Sequence, residues 1–321
     1  MPLIASSYIP PLPFKNGHFA TIYSGLVRSV SRVAQERERI FLPDGDFMDL
    51  DWSYSSQKTD KLLILLHGLE GNSKRPYMLG SAKIFNQHGF DACAVNFRSC
   101  SGENNRLFRT YHSGASDDLE QVLNHVLSTK NYKKIVLKGF SLGGNVSLKY
   151  LGERSSIPKE IKAAIAVSAP CHLKGSMLKL HEWENYLYSL RFKKHLVEKL
   201  RWKQQQFPHL VSESDIKKVK LLRDFDDVYT SKAHGFENGL DYYEKCSSLQ
   251  FLPSINLPSL ILNAKNDSFL SAECYPIQAS EENKNVFLET PAYGGHVGFY
   301  GKNNLYYNEK RALEFVKEML S

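Results

Sequence analysis

The chain has 321 residues, 42% hydrophobic and 23% charged, which excludes an intrinsically disordered protein and fits one enzyme-sized body or two smaller domains. Forty-one Lys and Arg against thirty-four Asp and Glu leave a formal +7, a surplus that can favour anionic surfaces without requiring nucleic acid. The five cysteines are scattered and form no CxxC pair, so neither a disulfide framework nor a zinc site is expected, and a reducing cytoplasm fits best.

The N-terminal stretch carries Pro10, Pro11 and Pro13 and lacks the charged and apolar regions of a signal peptide. No segment approaches the length of apolar chain that spans a bilayer, so a soluble protein is expected. Runs at Glu38–Leu42 and Met48–Tyr54 flank Pro43-Asp44-Gly45-Asp46 and read as a hairpin. Apolar strands and amphipathic helices then alternate: Leu62–Leu66, Tyr77–His88, Phe90–Val95, Asp117–Ser128, Lys134–Phe140, Leu142–Gly152 and Ala163–Ser168. Such alternation predicts an α/β fold with a mostly parallel central sheet and helices on both faces.

The alternation stops after Ala169-Pro170 and resumes at Ser259–Asn263, followed by a helix over Ser271–Glu282, a strand at Val286–Glu289 and a closing helix over Leu305–Met319. The interval reads as a helical cap insertion over 171–258, with 1–170 and 259–321 forming the catalytic domain. Inside it, Trp183, Tyr186, Leu187 and Leu190 follow the i, i+3, i+4, i+7 spacing of one helix face, beside Arg191, Lys193, Lys194, Lys199, Arg201 and Lys203. The plainer reading is a helix packed on the core with a solvated basic side. The sharper one is a lid whose Trp183, Leu187 and Leu190 bind the acyl part of a substrate and whose basic side touches a membrane surface transiently.

The strongest chemical signal is Gly139-Phe140-Ser141-Leu142-Gly143, placed directly after one predicted strand and directly before a helix. That context makes a nucleophile elbow, a strained strand-to-helix turn that lifts the Ser141 hydroxyl above the sheet's edge. A serine hydroxyl needs an adjacent base, and His296 is the candidate because Gly294-Gly295-His296-Val297-Gly298 follows the last strand. The carboxylate that orients this histidine must lie between the two in sequence and beyond a strand, as Asp267 does; Asp226 and Asp227 also lie between them, but no strand precedes them. His67-Gly68-Leu69-Glu70-Gly71 ends another strand, so the amides of Leu69 and Leu142 are the candidate oxyanion donors, with His67 shaping the loop.

With these elements assembled the chain resembles the YheT-like branch of α/β-hydrolases, a group that includes embryogenesis-associated plant proteins and animal abhydrolase-domain phospholipases. The resemblance covers nearly the whole chain and rests also on Lys15-Asn16-Gly17-His18-Phe19-Ala20-Thr21, Asn96-Phe97-Arg98-Ser99-Cys100-Ser101-Gly102-Glu103 and Tyr111-His112-Ser113-Gly114. Ser99 stands where that pattern has glycine. The resemblance implies an α/β-hydrolase fold, carboxylic-ester hydrolysis of acyl lipids or short acyl esters, and Ser141, Asp267 and His296 as a triad. No metal or organic cofactor, nucleic acid or obligate protein partner is implied. Thioester hydrolysis, acyl transfer, and ligand sensing with negligible turnover use the same groups and stand as alternatives. Arg98, Arg109 and His112 read either as a buried supporting network or as substrate contacts.

Overall fold

The computed structural model describes residues 3–320, so the outer ends of the expected catalytic domain, at 1 and 321, lie outside the described residues. Strands β1 (Leu3–Ile4), β2 (Glu36–Phe41), β3 (Phe47–Ser53), β4 (Lys61–Leu66), β5 (Asp91–Asn96), β6 (Lys134–Phe140), β7 (Ile161–Val167), β8 (Ser259–Leu262) and β9 (Val286–Glu289) form one sheet in the order β1-β9-β8-β7-β6-β4-β5-β3-β2. The β2–β3 hairpin is antiparallel and β3 runs antiparallel to β5, whereas every pairing from β5 across to β1 is parallel. The apolar runs read from the sequence are therefore the buried central strands, which need hydrophobic side chains on both faces. The short β1, which pairs with β9, went unforeseen because two residues carry no periodicity.

Helices cover both faces. In chain order they begin with α1 (Gly17–Ile22), α2 (Pro76–Gln87), α3 (Ser116–Thr129) and α4 (Leu142–Glu153). The segment between β7 and β8 contains α5 (Leu173–His181), α6 (Tyr186–Gln206), α7 (Glu213–Lys218), α8 (Leu222–Phe225), α9 (Ser231–His234) and α10 (Gly239–Cys246); α11 (Ile277–Glu282) and α12 (Tyr307–Leu320) follow. Leu119, Val122 and Val126 of α3 and Val146 of α4 pack on one side of the sheet, and Ala82 and Phe85 of α2 with Ala312 and Phe315 of α12 on the other. The single helix expected over Ser271–Glu282 is divided into a 3-10 turn and α11, because Pro276 between them lacks an amide donor and cannot sit inside a helix.

The segment between β7 and β8 contains no strand among the described residues and builds a small core of its own from Leu196, Leu200, Val211, Ile216, Leu222, Phe225 and Tyr229. It grips the sheet domain through polar contacts. Lys203 of α6, only 1% exposed, donates to the backbone carbonyls of Asn105 (3.0 Å) and Leu107, and the Tyr229 hydroxyl donates to the Phe108 carbonyl. The basic cluster is therefore not uniformly solvated as expected: Lys199 and Lys203 turn inward, their ammonium groups satisfied by acceptors on the sheet domain.

Candidate functional site

Ser141 sits between β6 and α4 at φ 52°, ψ −120°, a conformation disfavoured for a residue with a side chain. The turn closes because its amide donates to the Val167 carbonyl (2.8 Å) while its own carbonyl accepts from Gly144 and Asn145. Gly143 is required on steric grounds, since a Cβ there would lie 2.5 Å from the Leu66 carbonyl oxygen. The result holds the hydroxyl at the rim of a cavity of about 280 Å³.

His296 reaches the same cavity from the loop after β9. Its Nδ1 lies 2.8 Å from Asp267 Oδ2, with the carboxylate side chain wholly buried and the imidazole 12% exposed. Asp267 follows β8, and its Oδ1 accepts the Phe269 amide (3.0 Å) while the Phe269 ring packs against the imidazole at 4.3 Å. Two contacts fix the histidine loop: the His296 amide donates to Thr21 Oγ1 (2.8 Å), and the Val297 amide donates to Ser168 Oγ (2.9 Å). Asn266 accepts the Gly295 amide (2.9 Å) and donates to the Lys15 carbonyl (3.0 Å), joining this loop to the segment Lys15–Thr21. That motif resembled the family's without suggesting a task. Thr21 and Asn266 are supports that sequence reasoning missed, and only their place in or beside recognised motifs could have marked them.

Beyond β4 the His67–Gly71 loop lies directly against the serine, since a Cβ on Gly68 would stand 3.1 Å from Ser141 Cβ. His67 is buried and its Nε2 accepts the Phe97 amide (3.2 Å), which leaves Nδ1 to donate to the Gly68 carbonyl (2.7 Å). Burial pushes its pKa down to about 3, so a neutral ring shapes the loop, as expected. The amides of Leu69 and Leu142 donate to no protein group among the described residues, and both residues line the cavity. Asp226 is also on the cavity wall, but its partners are Thr230 (2.7 Å) and Tyr243 (2.6 Å), and burial raises its carboxyl to about 6.

One expectation is corrected. Trp183, Leu187 and Leu190 are 88%, 77% and 36% exposed and do not line the cavity. Trp183 lies in a 3-10 turn before α6, and the inward side of α6 is instead the stripe Tyr188, Phe192, Leu196. The helix carries two apolar stripes, and spacing alone cannot say which faces in. Leu173, Met177, Leu180 and Phe269 complete the apolar wall.

Arg98 is buried against Asp118 and Asp44, at 2.8 Å from each, and Arg109 pairs with Asp117 at 2.7 Å. The His112 ring also lines the cavity, 4.3 Å from the His234 ring. Ser99 adopts φ 60°, where glycine is usual, and is held there by a reciprocal contact with Asn105, whose amide donates to Ser99 Oγ (3.0 Å) and whose side chain accepts the Ser99 amide. No group of three or more His, Cys, Asp or Glu side chains among the described residues could hold a metal ion.

The strand order, the crossovers and the strained serine turn at the carboxyl edge of β6 define an α/β-hydrolase fold. Residues 61–302 match the sequence model of the alpha/beta hydrolase fold family, and the chain belongs to that family, within its YheT-like branch. It is 33% identical to the Escherichia coli K12 protein YheT, named for an esterase, over 92% of this chain and 88% of that one. It is 30% identical to human phospholipase ABHD3 over 93% of this chain and 75% of the other. The Pyrococcus furiosus esterase Pf2001 shares the fold at a TM-score of 0.62 and 19% identity, with 92% of this chain and 96% of that one covered.

Proposed function

We propose that this chain is a serine hydrolase of carboxylic acyl esters that works through an acyl-enzyme, with Ser141 as nucleophile, His296 as general base and Asp267 as orienting carboxylate. The observation that carries the reading is the 2.8 Å contact between buried Asp267 and His296, whose ring lines the same cavity as the strained Ser141 turn. Asp267 accepts a hydrogen bond from Nδ1–H, which leaves the Nε2 lone pair free to take the Ser141 proton as the serine oxygen attacks the ester carbonyl. The amides of Leu69 and Leu142 stabilise the negative charge that develops on the carbonyl oxygen, each worth about 3 kcal/mol. Collapse breaks the acyl C–O bond, His296 returns the proton to the departing alcohol, and water attacks the acyl-serine by the same route.

The apolar wall of Leu173, Met177, Leu180, Phe192, Leu196 and Phe269 suits an acyl chain. The names of relatives such as phospholipase ABHD3 and a Saccharomyces cerevisiae monoacylglycerol lipase favour acyl lipids as the substrate class. In this reading the segment 171–258 is a cap that selects substrate, and the exposed face of Trp183, Tyr186, Leu187 and Leu190, with Arg191 and Lys194 beside it, makes transient contact with a membrane surface. No helix among the described residues is long and apolar enough to cross a membrane.

The test is labelling with a fluorophosphonate, together with turnover of a p-nitrophenyl ester series by wild type and Ser141→Ala. Wild type should be labelled at Ser141, and the folded variant should lose about 10⁶-fold in kcat. Turnover retained by folded Ser141→Ala overturns the reading.

A further inference from the structure

Resting on that reading, we infer that Lys199 of the cap helix α6 is a positioning residue for the oxyanion loop, acting through Glu70, the residue next to the donor Leu69. Glu70 is held at φ 53°, a left-handed conformation that a glutamate does not adopt without restraint. The polar groups of this residue are engaged on several sides. Its amide donates to the Tyr111 hydroxyl (2.8 Å), and its carbonyl accepts from Arg75 Nη2 (2.9 Å). Its Oε1 accepts from both the Tyr111 hydroxyl (2.7 Å) and Lys199 Nζ (2.8 Å).

Tyr111 and Arg75 belong to the sheet domain, whereas Lys199 comes from the segment inserted between β7 and β8, so this ammonium is the cap's ionic hold on the loop, beside the packing of Leu69 against the cap's own core. It donates also to Cys100 Sγ (3.4 Å) and stands over the Tyr111 ring, which clamps it from a second side. Glu70, Tyr111, Lys199, Leu69 and Ser141 all line the one cavity. The side chain of Glu70 is nearly buried, so its negative charge is poorly screened beside the place where an oxyanion must form. Lys199 therefore has two effects on the reaction. It fixes the backbone that aims the Leu69 amide, and it cancels a charge that would otherwise oppose the transition state. Cap docking and oxyanion stabilisation are in this way one event: a cap held away from the sheet domain leaves the serine in place but the donor loop slack and its carboxylate uncompensated.

The experiment measures kcat and KM separately on p-nitrophenyl acetate and on a medium-chain ester for Lys199→Met, Lys199→Arg, Glu70→Gln and the double variant Glu70→Gln/Lys199→Met, each checked for folding by circular dichroism. Lys199→Met should lower kcat about ten- to a hundredfold on both esters, with KM little changed, because the loss is in transition-state stabilisation. Lys199→Arg should stay close to wild type. The double variant should be faster than Lys199→Met, since the side-chain amide that replaces the Glu70 carboxylate still accepts from Tyr111 and carries no charge. A packing role alone predicts the opposite split: a raised KM for the longer ester and unchanged kcat on acetate. Wild-type kcat in folded Lys199→Met, or a double variant no faster than Lys199→Met, overturns the inference. If Lys199→Met does not fold, Lys199→Gln decides, its kcat falling several-fold if the ammonium is needed and staying at the wild-type value if it is not. Fluorophosphonate labelling separates the two levels: absence of labelling at Ser141 in wild type defeats the triad and the clamp together, whereas labelled wild type with an indifferent Lys199→Met defeats the clamp alone.

Discussion

At the scale of single residues, the contact between Asp267 and His296 decides which tautomer the imidazole holds. Asp267 Oδ2 can accept only if Nδ1 carries the proton, and the Phe269 amide on Oδ1 keeps the carboxylate from rotating away. Asp267→Asn preserves size but places an amide donor or a weaker acceptor against Nδ1. The expected outcome is a fall of about 10⁴-fold in kcat with the fold intact, smaller than the loss in Ser141→Ala. Steady-state kinetics on a short ester check this. Activity within tenfold of wild type would remove Asp267 from the orienting role and direct attention to Asp226, although Thr230 and Tyr243 already occupy that carboxylate.

Among the elements, α6 combines three tasks that its sequence does not separate. Its inward stripe walls the cavity, two of its lysines tie it to the sheet domain, and its outward stripe remains in solvent. Burial of each methylene of an acyl chain contributes about 0.8 kcal/mol, so kcat/KM should rise about fourfold per methylene until the cavity is full. Phe192→Ser combined with Met177→Ser should flatten this rise while leaving the shortest ester little affected. Leu187→Ser combined with Leu190→Ser should leave it unchanged. A p-nitrophenyl ester series from two to twelve carbons reads both; a profile altered by the outer pair instead would return those residues to the substrate path.

Over the whole molecule, the exposed apolar side chains of α6 stand beside Arg191 and Lys194, an arrangement suited to the interface of an anionic bilayer. Sedimentation with vesicles of mixed phosphatidylcholine and phosphatidylserine should recover wild type. Trp183→Ser combined with Leu187→Ser should reduce recovery several-fold without altering hydrolysis of a water-soluble ester. Equal recovery of the two proteins would exclude this face as the contact.

The sequence by itself determined every strand but the two-residue β1, the order of the candidate residues along the chain and the identity of Ser141, Asp267 and His296 as candidates. Those features are local: a buried parallel strand reads as an apolar run, and a strained turn demands glycine on either side of its serine. What α6 turns inward was decided only by the tertiary structure. Trp183, Leu187 and Leu190 have the same helical spacing as a buried face, and hydrophobic periodicity is blind to which of two stripes finds a partner. The same limit hid Thr21, Asn266 and Lys199. Each acts through a hydrogen bond to a residue distant in sequence or in another element, and no spacing along the chain encodes that meeting. Ser99 illustrates the reverse case, in which a departure from the expected glycine is made tolerable by Asn105, six residues further on, whose side chain meets it only once the loop has closed.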